Sequence, residues 1–285
     1  MIAITGANGK PGTATIHQLI RQIAPAQIIA IVRDPAKAAD LHHAGVQVRK
    51  AGYNDQLSLE QALQGAQQLL QISTTSIGAA GIEQEYNVVV AAKNTGVQHI
   101  IYTSSLAPRS DAFFLPVQQA LQTEAAIRAT GIPYTFFRNS LYMETIPELI
   151  GNARETGAIY YPAGDGKVSF VSRLDIAAAL ANVLCGTGHE HKEYEITGEQ
   201  AYNFLEIATM LRIEKEAVLN YVNIPEDAYR SALTNFHLPP EIINLLISMA
   251  AGIRSGEFSY TDDTLEILLQ RKRTALKDYL KTYAV

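Results

Sequence analysis

The sequence lacks most features of a secreted or membrane-spanning protein. It has a single cysteine among 285 residues, Cys185, so an intramolecular disulfide is excluded. Cys185 follows an apolar stretch, which predicts a small buried residue rather than a nucleophile. No uninterrupted apolar run reaches the ~20 residues of a membrane helix. The apolar N-terminus is too short for a signal peptide. We therefore expect a cytoplasmic protein without a membrane partner.

Charge and histidine content argue against nucleic acid and metal. The net charge is −5, and the basic run at residues 271–273 is short enough to be a solvated helix face. Two histidine pairs occur, His42-His43 and His189/His191, but neither has cysteine or carboxylate companions at zinc-ligand spacing. We expect neither a metal nor a nucleic-acid partner. The sequence leaves the choice between monomer and homodimer open.

The strongest positive signal lies in the first twelve residues. The apolar run Ile2–Ile4 breaks into Gly6, Gly9 and Gly12, after which apolar residues recur at helical spacing. Glycines let a backbone approach a pyrophosphate closely, and the start of a helix attracts an anion. The pattern predicts a dinucleotide site, and the spacing G-x-x-G-x-x-G, with Thr5 in front, resembles that of the short-chain dehydrogenase/reductases. A tight strand-to-helix turn without a ligand is the alternative.

Short apolar strands alternate with helical segments through the first half of the chain. This alternation predicts an α/β fold with a Rossmann-like, doubly wound parallel sheet. The pattern loosens after Gly151, which predicts a smaller, mostly helical C-terminal lobe. We expect a dinucleotide-binding domain over residues 1–150 and a substrate-side lobe over residues 151–285. The boundary is soft, so later elements can return to the main sheet.

The residue that ends the predicted second strand indicates which dinucleotide binds. Arg33 follows Ile28–Val32, where NAD sites usually carry an acidic residue. A guanidinium there suits the 2′-phosphate of NADPH, and Lys10 adds positive charge nearby. Asp34 follows directly and could face a ribose instead, while Arg33 could be only a solvated charge. The sequence favours NADPH over NADH.

Several segments together resemble a known family, the NmrA-like atypical short-chain dehydrogenase/reductases. Within that family the chain is most similar to the bacterial type 2 NADPH:quinone oxidoreductases. The resemblance covers nearly the whole chain and is strongest before residue 180. It rests on residues 2–9, 30–38, 102–104, 123–124, 131–135, 138–139 and 163–167.

The resemblance implies NADP(H) as the cofactor and assigns its contacts by position. The pyrophosphate would contact Gly6, Ala7, Asn8, Gly9, Lys10 and Pro11, and the 2′-phosphate would contact Arg33. Ser73, Thr74 and Thr75 would line the cofactor at the end of the fourth strand. Asn139, Ser140, Leu141, Tyr142, Met143 and Glu144 would lie near the nicotinamide, and Phe170 would belong to a loop that closes the pocket.

The usual proton donor of short-chain dehydrogenases is missing. Those enzymes place a Tyr-x-x-x-Lys pair after a serine, here Ser104 or Ser105, yet residues 111–124 contain neither tyrosine nor lysine. Ordinary alcohol/ketone chemistry is therefore not expected, and the catalytic residue is unknown. Glu124 and His237 are minor candidates for a proton source.

Quinone reduction does not require the missing Tyr-x-x-x-Lys pair, because its product is aromatic and protons can come from water. The enzyme then mainly positions the acceptor against the nicotinamide. We expect NADPH-dependent hydride transfer to quinones or similar flat acceptors, without a flavin. Phe113, Phe137 and Tyr142 are the candidate acceptor walls, with Phe114 and Tyr161 as further aromatics. The alternatives are an NADP(H)-sensing regulatory protein without turnover, and a reductase of another conjugated compound.

Overall fold

The computed structural model describes residues 1–215 and 219–282 of the chain. These residues form nine β-strands: β1 (Ile2–Ile4), β2 (Ile28–Val32), β3 (Gln47–Lys50), β4 (Gln68–Gln71), β5 (His99–Ser105), β6 (Tyr134–Asn139), β7 (Ala158–Tyr160), β8 (Lys192–Ile196) and β9 (Asn220–Val222).

The α-helices surround these strands and occur throughout the described chain. They are α1 (Lys10–Leu19), α2 (Ala39–His43), α3 (Gln56–Leu63), α4 (Ala79–Asn94), α5 (Leu115–Thr130), α6 (Ile146–Ile150), α7 (Ala153–Thr156), α8 (Arg173–Cys185), α9 (Phe204–Lys215), α10 (Glu226–Asn235), α11 (Pro240–Arg254), α12 (Thr264–Leu269) and α13 (Leu276–Thr282). None of these helices is both long and apolar enough to cross a membrane.

Seven strands form one sheet in the order β3-β2-β1-β4-β5-β6-β8, and every neighbouring pair is parallel. The order runs outward in both directions from β1 and β4, so the topology switches between these two strands. Ligands of such sheets bind at the switch, outside the carboxyl ends of the strands. The predicted Rossmann-like fold is confirmed, and the glycine turn after β1 lies at the switch.

Both faces of the sheet are covered by helices, as the alternation of side chains along a strand requires. In β1, Ile2 and Ile4 belong to a hydrophobic cluster that includes residues of α1 and α8. Ala3, between them, belongs to a second cluster that includes residues of α3 and α4. Since β1 is buried on both sides, the turn that follows it is held rigidly.

The second half of the chain is mostly helical, and α6, β7, α9, α11 and α13 pack in one apolar cluster. This cluster also contains Leu106, Ala112, Phe114 and Val117 of the first half. Three elements of the second half nevertheless join the main core: β8 pairs with β6, α8 packs against α1, and α12 packs against α8 and β8. The division at residue 150 remains a prediction, with α8, β8 and α12 as the elements that return. Residues 216–218 and 283–285 of the predicted 151–285 lobe lie outside the described residues.

One sequence-based expectation is wrong. Cys185 is exposed rather than buried. The buried apolar face of α8 ends with Val183 and Leu184, and Cys185 is the last residue of the helix, beyond that face.

Candidate functional site

The glycine turn brings the start of α1 close to β1. Gly6 has a φ of +60°, and the Gly9 N–H donates a hydrogen bond to the Gly6 carbonyl at 2.9 Å. A Cβ at Gly12 would lie 2.5 Å from that carbonyl oxygen and 2.8 Å from the Ala7 Cα, so only glycine permits this approach. Gly9 is the N-cap of α1 and supplies no side-chain cap. The first-turn amides can therefore receive an anion.

A cleft of about 520 Å³ runs along the carboxyl edge of the sheet from this turn. It brings together most of the predicted cofactor residues from four separate segments. They are Gly6, Asn8, Gly9, Lys10 and Pro11 after β1; Arg33 after β2; Ser73, Thr74 and Thr75 after β4; and Tyr142 after β6. Ligands of parallel sheets bind outside the carboxyl ends of the strands, and this strand-end rule agrees with the one continuous groove observed.

Arg33 and Asp34 differ in their access to the cleft. The exposed Arg33 lines it, whereas Asp34 does not. The Asp34 carboxylate instead accepts a hydrogen bond from the Ala36 N–H at 3.1 Å and caps the following helical turn. The carboxylate that lines the cleft nearby, Asp55, accepts from the Ser58 N–H at 3.0 Å and caps α3. A cation at the end of β2 fits a phosphate on the ribose better than recognition of a free 2′-OH by an acid.

The loop after β4 is fixed from behind by side chains. The Ser73 N–H donates to the Thr103 Oγ1 at 2.9 Å, and the Thr74 N–H donates to the Glu85 Oε1 at 3.0 Å. The Ser76 N–H donates to the Thr74 Oγ1 at 3.2 Å. Three main-chain amides within four residues are therefore held, which makes this wall of the cleft pre-organised.

The stretch after β6 contributes less to the cleft than predicted. Only Tyr142 lines it, while Asn139, Ser140, Leu141 and Met143 are buried. Glu144 lies at an adjoining cleft, where both its carboxylate oxygens accept from the Arg173 N–H, at 3.1 and 3.2 Å.

Burial corrects several other predictions. Phe137 is fully buried in the sheet core, with its ring centroid 5.9 Å from that of Tyr194, so it is no acceptor wall. The Phe170 side chain is buried in the C-terminal cluster, as are Phe114 and Tyr161. Phe113 is 58% exposed but does not line the cleft. Ala7 is buried beneath the glycine turn rather than facing the cleft.

The two candidate proton donors also lie elsewhere. Glu124 is fully buried and accepts hydrogen bonds from Ser104 at 2.7 Å and from two nitrogens of Arg138 at 2.8 and 3.0 Å. Arg128 forms a further ion pair with it at 3.0 Å. This carboxylate is therefore a structural anion. His237 is exposed in the turn between α10 and α11 and lines neither cleft.

The rest of the lining was missed by sequence reasoning, and it includes Tyr53, Asp55, Gln84 and Arg173. Tyr53 follows β3, so the strand-end rule could have found it, and its hydroxyl donates to the Ile72 carbonyl at 2.7 Å. Arg173 begins α8 and has no local motif. Burial raises the pKa of both the Tyr53 and the Tyr142 hydroxyl, which makes each a weaker acid.

Within residues 1–215 and 219–282, no group of three or more His, Cys, Asp or Glu side chains is arranged to hold an ion.

Comparison with known proteins places the chain in a family. The sequence profile of the NmrA-like family matches residues 1–283. The chain belongs to the NmrA-like family.

Relatives of this NmrA-like protein include characterised reductases. Quinone oxidoreductase 2 of Escherichia coli K12 is 37% identical over 278 residues, which cover 98% of this chain and 96% of that protein. The structure of the NADPH-dependent quinone oxidoreductase of E. coli with NADPH matches with a TM-score of 0.93 and 36% identity over 98% of both chains. That of Citrobacter sp. triphenylmethane reductase with NADP(H) matches with a TM-score of 0.93 and 36% identity over 99% of both chains.

Proposed function

We propose that this NmrA-like protein is an NADPH-dependent oxidoreductase that transfers hydride to quinones or to similar flat conjugated acceptors. The observation that supports it most is the single cleft joining the glycine turn to Arg33 and Tyr142. One extended ligand with a pyrophosphate in its middle and a phosphate near one end matches this distribution of groups. Similar proteins that reduce quinones and triphenylmethane dyes with NADPH agree with it.

Each part of the cleft has a role in this proposal. The main-chain N–H groups that the glycine turn leaves free, together with the Lys10 side chain, hold the pyrophosphate, and Arg33 holds the 2′-phosphate. Pro11 has no N–H, and the Ala7 and Gly9 amides donate to the Ile31 and Gly6 carbonyls. Residues 73–75, after β4, line the middle of the cleft. Tyr142 and Arg173 line the part of the cleft that follows β6. NADPH supplies the hydride when it is bound. The protein orients it and the acceptor, and positioning of this kind accounts for large rate gains without an acid.

The proposed chemistry needs no proton donor from the protein. Partial burial raises the pKa of the Tyr53 and Tyr142 phenols, and Glu124 is held in ion pairs. A quinone that gains hydride becomes an aromatic hydroquinone and takes its proton from water. The proposal requires neither flavin nor metal. It describes a cytoplasmic enzyme, monomeric or homodimeric, that acts on a small molecule and not on nucleic acid.

Turnover with purified protein tests the proposal. Flavin-free protein is mixed with NADPH and a panel of benzoquinones and naphthoquinones, and NADPH loss and hydroquinone formation are followed together. We expect equal amounts of both. Tight NADPH binding without reduction of any acceptor would overturn the proposal and favour an NADP(H)-sensing regulator.

A further inference from the structure

A carboxylate lies buried directly behind the wall of the cleft. Glu85, on α4, is fully buried. Among the described residues no lysine, arginine or histidine forms an ion pair with it. An ionised carboxylate without a cation is costly to bury unless hydrogen bonds compensate. The stability of the buried, ionised Glu85 carboxylate therefore depends on the hydrogen-bond donors around it.

Four groups donate to the Glu85 carboxylate, two to each oxygen. Oε1 accepts from the Thr74 N–H at 3.0 Å and from the Gln119 Nε2 at 3.1 Å. Oε2 accepts from the Tyr102 hydroxyl at 2.6 Å and from the Thr123 hydroxyl. Three of these donors are core side chains of β5 and α5. The fourth is the main chain of the cleft wall.

The contact to Thr74 links Glu85 to the cofactor site. Thr74 lines the cleft, and its hydroxyl donates to the Gln84 Oε1, which also lines it. The loop lies tightly on the start of α4, since a Cβ at Gly81 would be 2.2 Å from the Ser76 carbonyl oxygen. Glu85 is therefore in a position to set the main-chain geometry of residues 73–76.

We propose that Glu85 is a positioning residue for the cofactor: its negative charge fixes the Thr74 main chain and so holds residues 73–76 in the shape that binds NADP(H). This inference rests on the proposed function. A charged acceptor makes hydrogen bonds roughly twice as strong as a neutral one, so the charge matters beyond the shape of the side chain.

The carboxyl is the group that titrates in this cluster. The titratable side chains facing it are the buried Tyr102 of β5 and the half-buried Tyr53 of the loop after β3, both with raised pKa values. The other facing side chains, Gln119 and Thr123 of α5, do not titrate. Burial raises the pKa of Glu85, so its charge is lost at a higher pH than that of an exposed glutamate.

The substitution Glu85→Gln tests the proposal, because it keeps the shape and removes the charge. We expect the dissociation constant for NADP⁺, measured by calorimetry, to rise about tenfold at neutral pH, with kcat at saturating NADPH nearly unchanged. The control Glu83→Gln makes the same change on an exposed position of α4 and should leave binding unaltered.

A pH series separates positioning from a general structural role. As pH falls through the Glu85 pKa, the wild-type dissociation constant should rise toward that of Glu85→Gln, so the ratio of the two approaches one. Titration of the cofactor 2′-phosphate affects both proteins and cancels in the ratio. An unchanged affinity in Glu85→Gln, or a ratio independent of pH, would overturn the inference.

A second variant applies if Glu85→Gln does not fold. Thr123→Val keeps the charge but removes one donor, so the Glu85 pKa rises and the loss of affinity should begin at a higher pH than in wild type. An unshifted profile would overturn the inference. A wild-type protein that binds no NADP⁺ would instead contradict the proposed function itself.

Discussion

The guanidinium carbon of Arg173 lies 5.2 Å from the centre of the Tyr142 ring. Tyr142 follows β6 and forms an isolated bridge with Val171, two residues before α8 begins. Two segments about thirty residues apart therefore meet at one end of the cleft and place a cation on an aromatic face. The contact holds the Tyr142 ring in place.

Tyr142→Phe should retain activity. The pKa of the buried Tyr142 hydroxyl is raised above 10, so the phenol stays protonated below that pH and introduces no step in the rate from about pH 6 to pH 9. The ring and its contact with Arg173 remain in the variant. We expect kcat within about twofold of wild type, whereas loss of a general acid costs about a hundredfold or more. A hundredfold loss would make Tyr142 the proton donor.

Arg33→Ala should change the cofactor preference. Loss of a charge-assisted contact to the 2′-phosphate should weaken NADPH binding by about ten- to a hundredfold, and NADH binding far less. Lys37→Ala removes an exposed cation that does not line the cleft and serves as the control. Fluorescence titration with both cofactors measures the effect. Equal losses of NADPH and NADH affinity would contradict the role of Arg33 in binding the 2′-phosphate.

Gly12→Ala should damage the glycine turn. The added Cβ would meet the Gly6 carbonyl oxygen at 2.5 Å, and the main chain there cannot move without parting α1 from β1. Overpacking of this kind costs about 1–3 kcal/mol of unfolding free energy, and NADPH affinity should fall as well. Gly52→Ala, whose Cβ would be 3.7 Å from the Arg33 side chain, should leave stability almost unchanged in the same urea titration.

Glu124→Gln should affect stability rather than chemistry. Glu124 is buried and pairs with Arg128 and Arg138, so removing its charge breaks both ion pairs. Both guanidinium groups keep Glu193 as a partner, at 2.6 and 2.7 Å. We expect a loss of about 2 kcal/mol in unfolding free energy, the contribution typical of charge-assisted hydrogen bonds. Activity per folded molecule should stay near the wild-type value. A folded but inactive variant would restore Glu124 as a catalytic acid.

Local motifs explain what could be predicted from the sequence. The glycine turn and Arg33 belong to one strand-turn-helix-strand segment, so their spacing alone places them near each other. Residues 73–75 follow from the rule that parallel strands end at one edge. Arg173 could not be found this way, because its position beside Tyr142 depends on the packing of α8 against α1.

The wrong predictions share a different cause. The sequence shows that Phe137 lies on a strand, but not that its side chain points into the core, since β6 is covered on both faces. Phe170 likewise reads as a loop residue near the cleft and is instead core. An apolar aromatic suits either a ligand wall or a packed interior, and only the tertiary contacts distinguish the two.

A single-turnover experiment tests the central claim most directly. Flavin-free protein saturated with NADPH is mixed rapidly with a quinone, and the oxidation rate is compared with that for NADPH deuterated at the transferred C4 position. Direct hydride transfer predicts rapid oxidation that is measurably slower with the deuterated cofactor. Bound NADPH that no quinone oxidises would contradict the account.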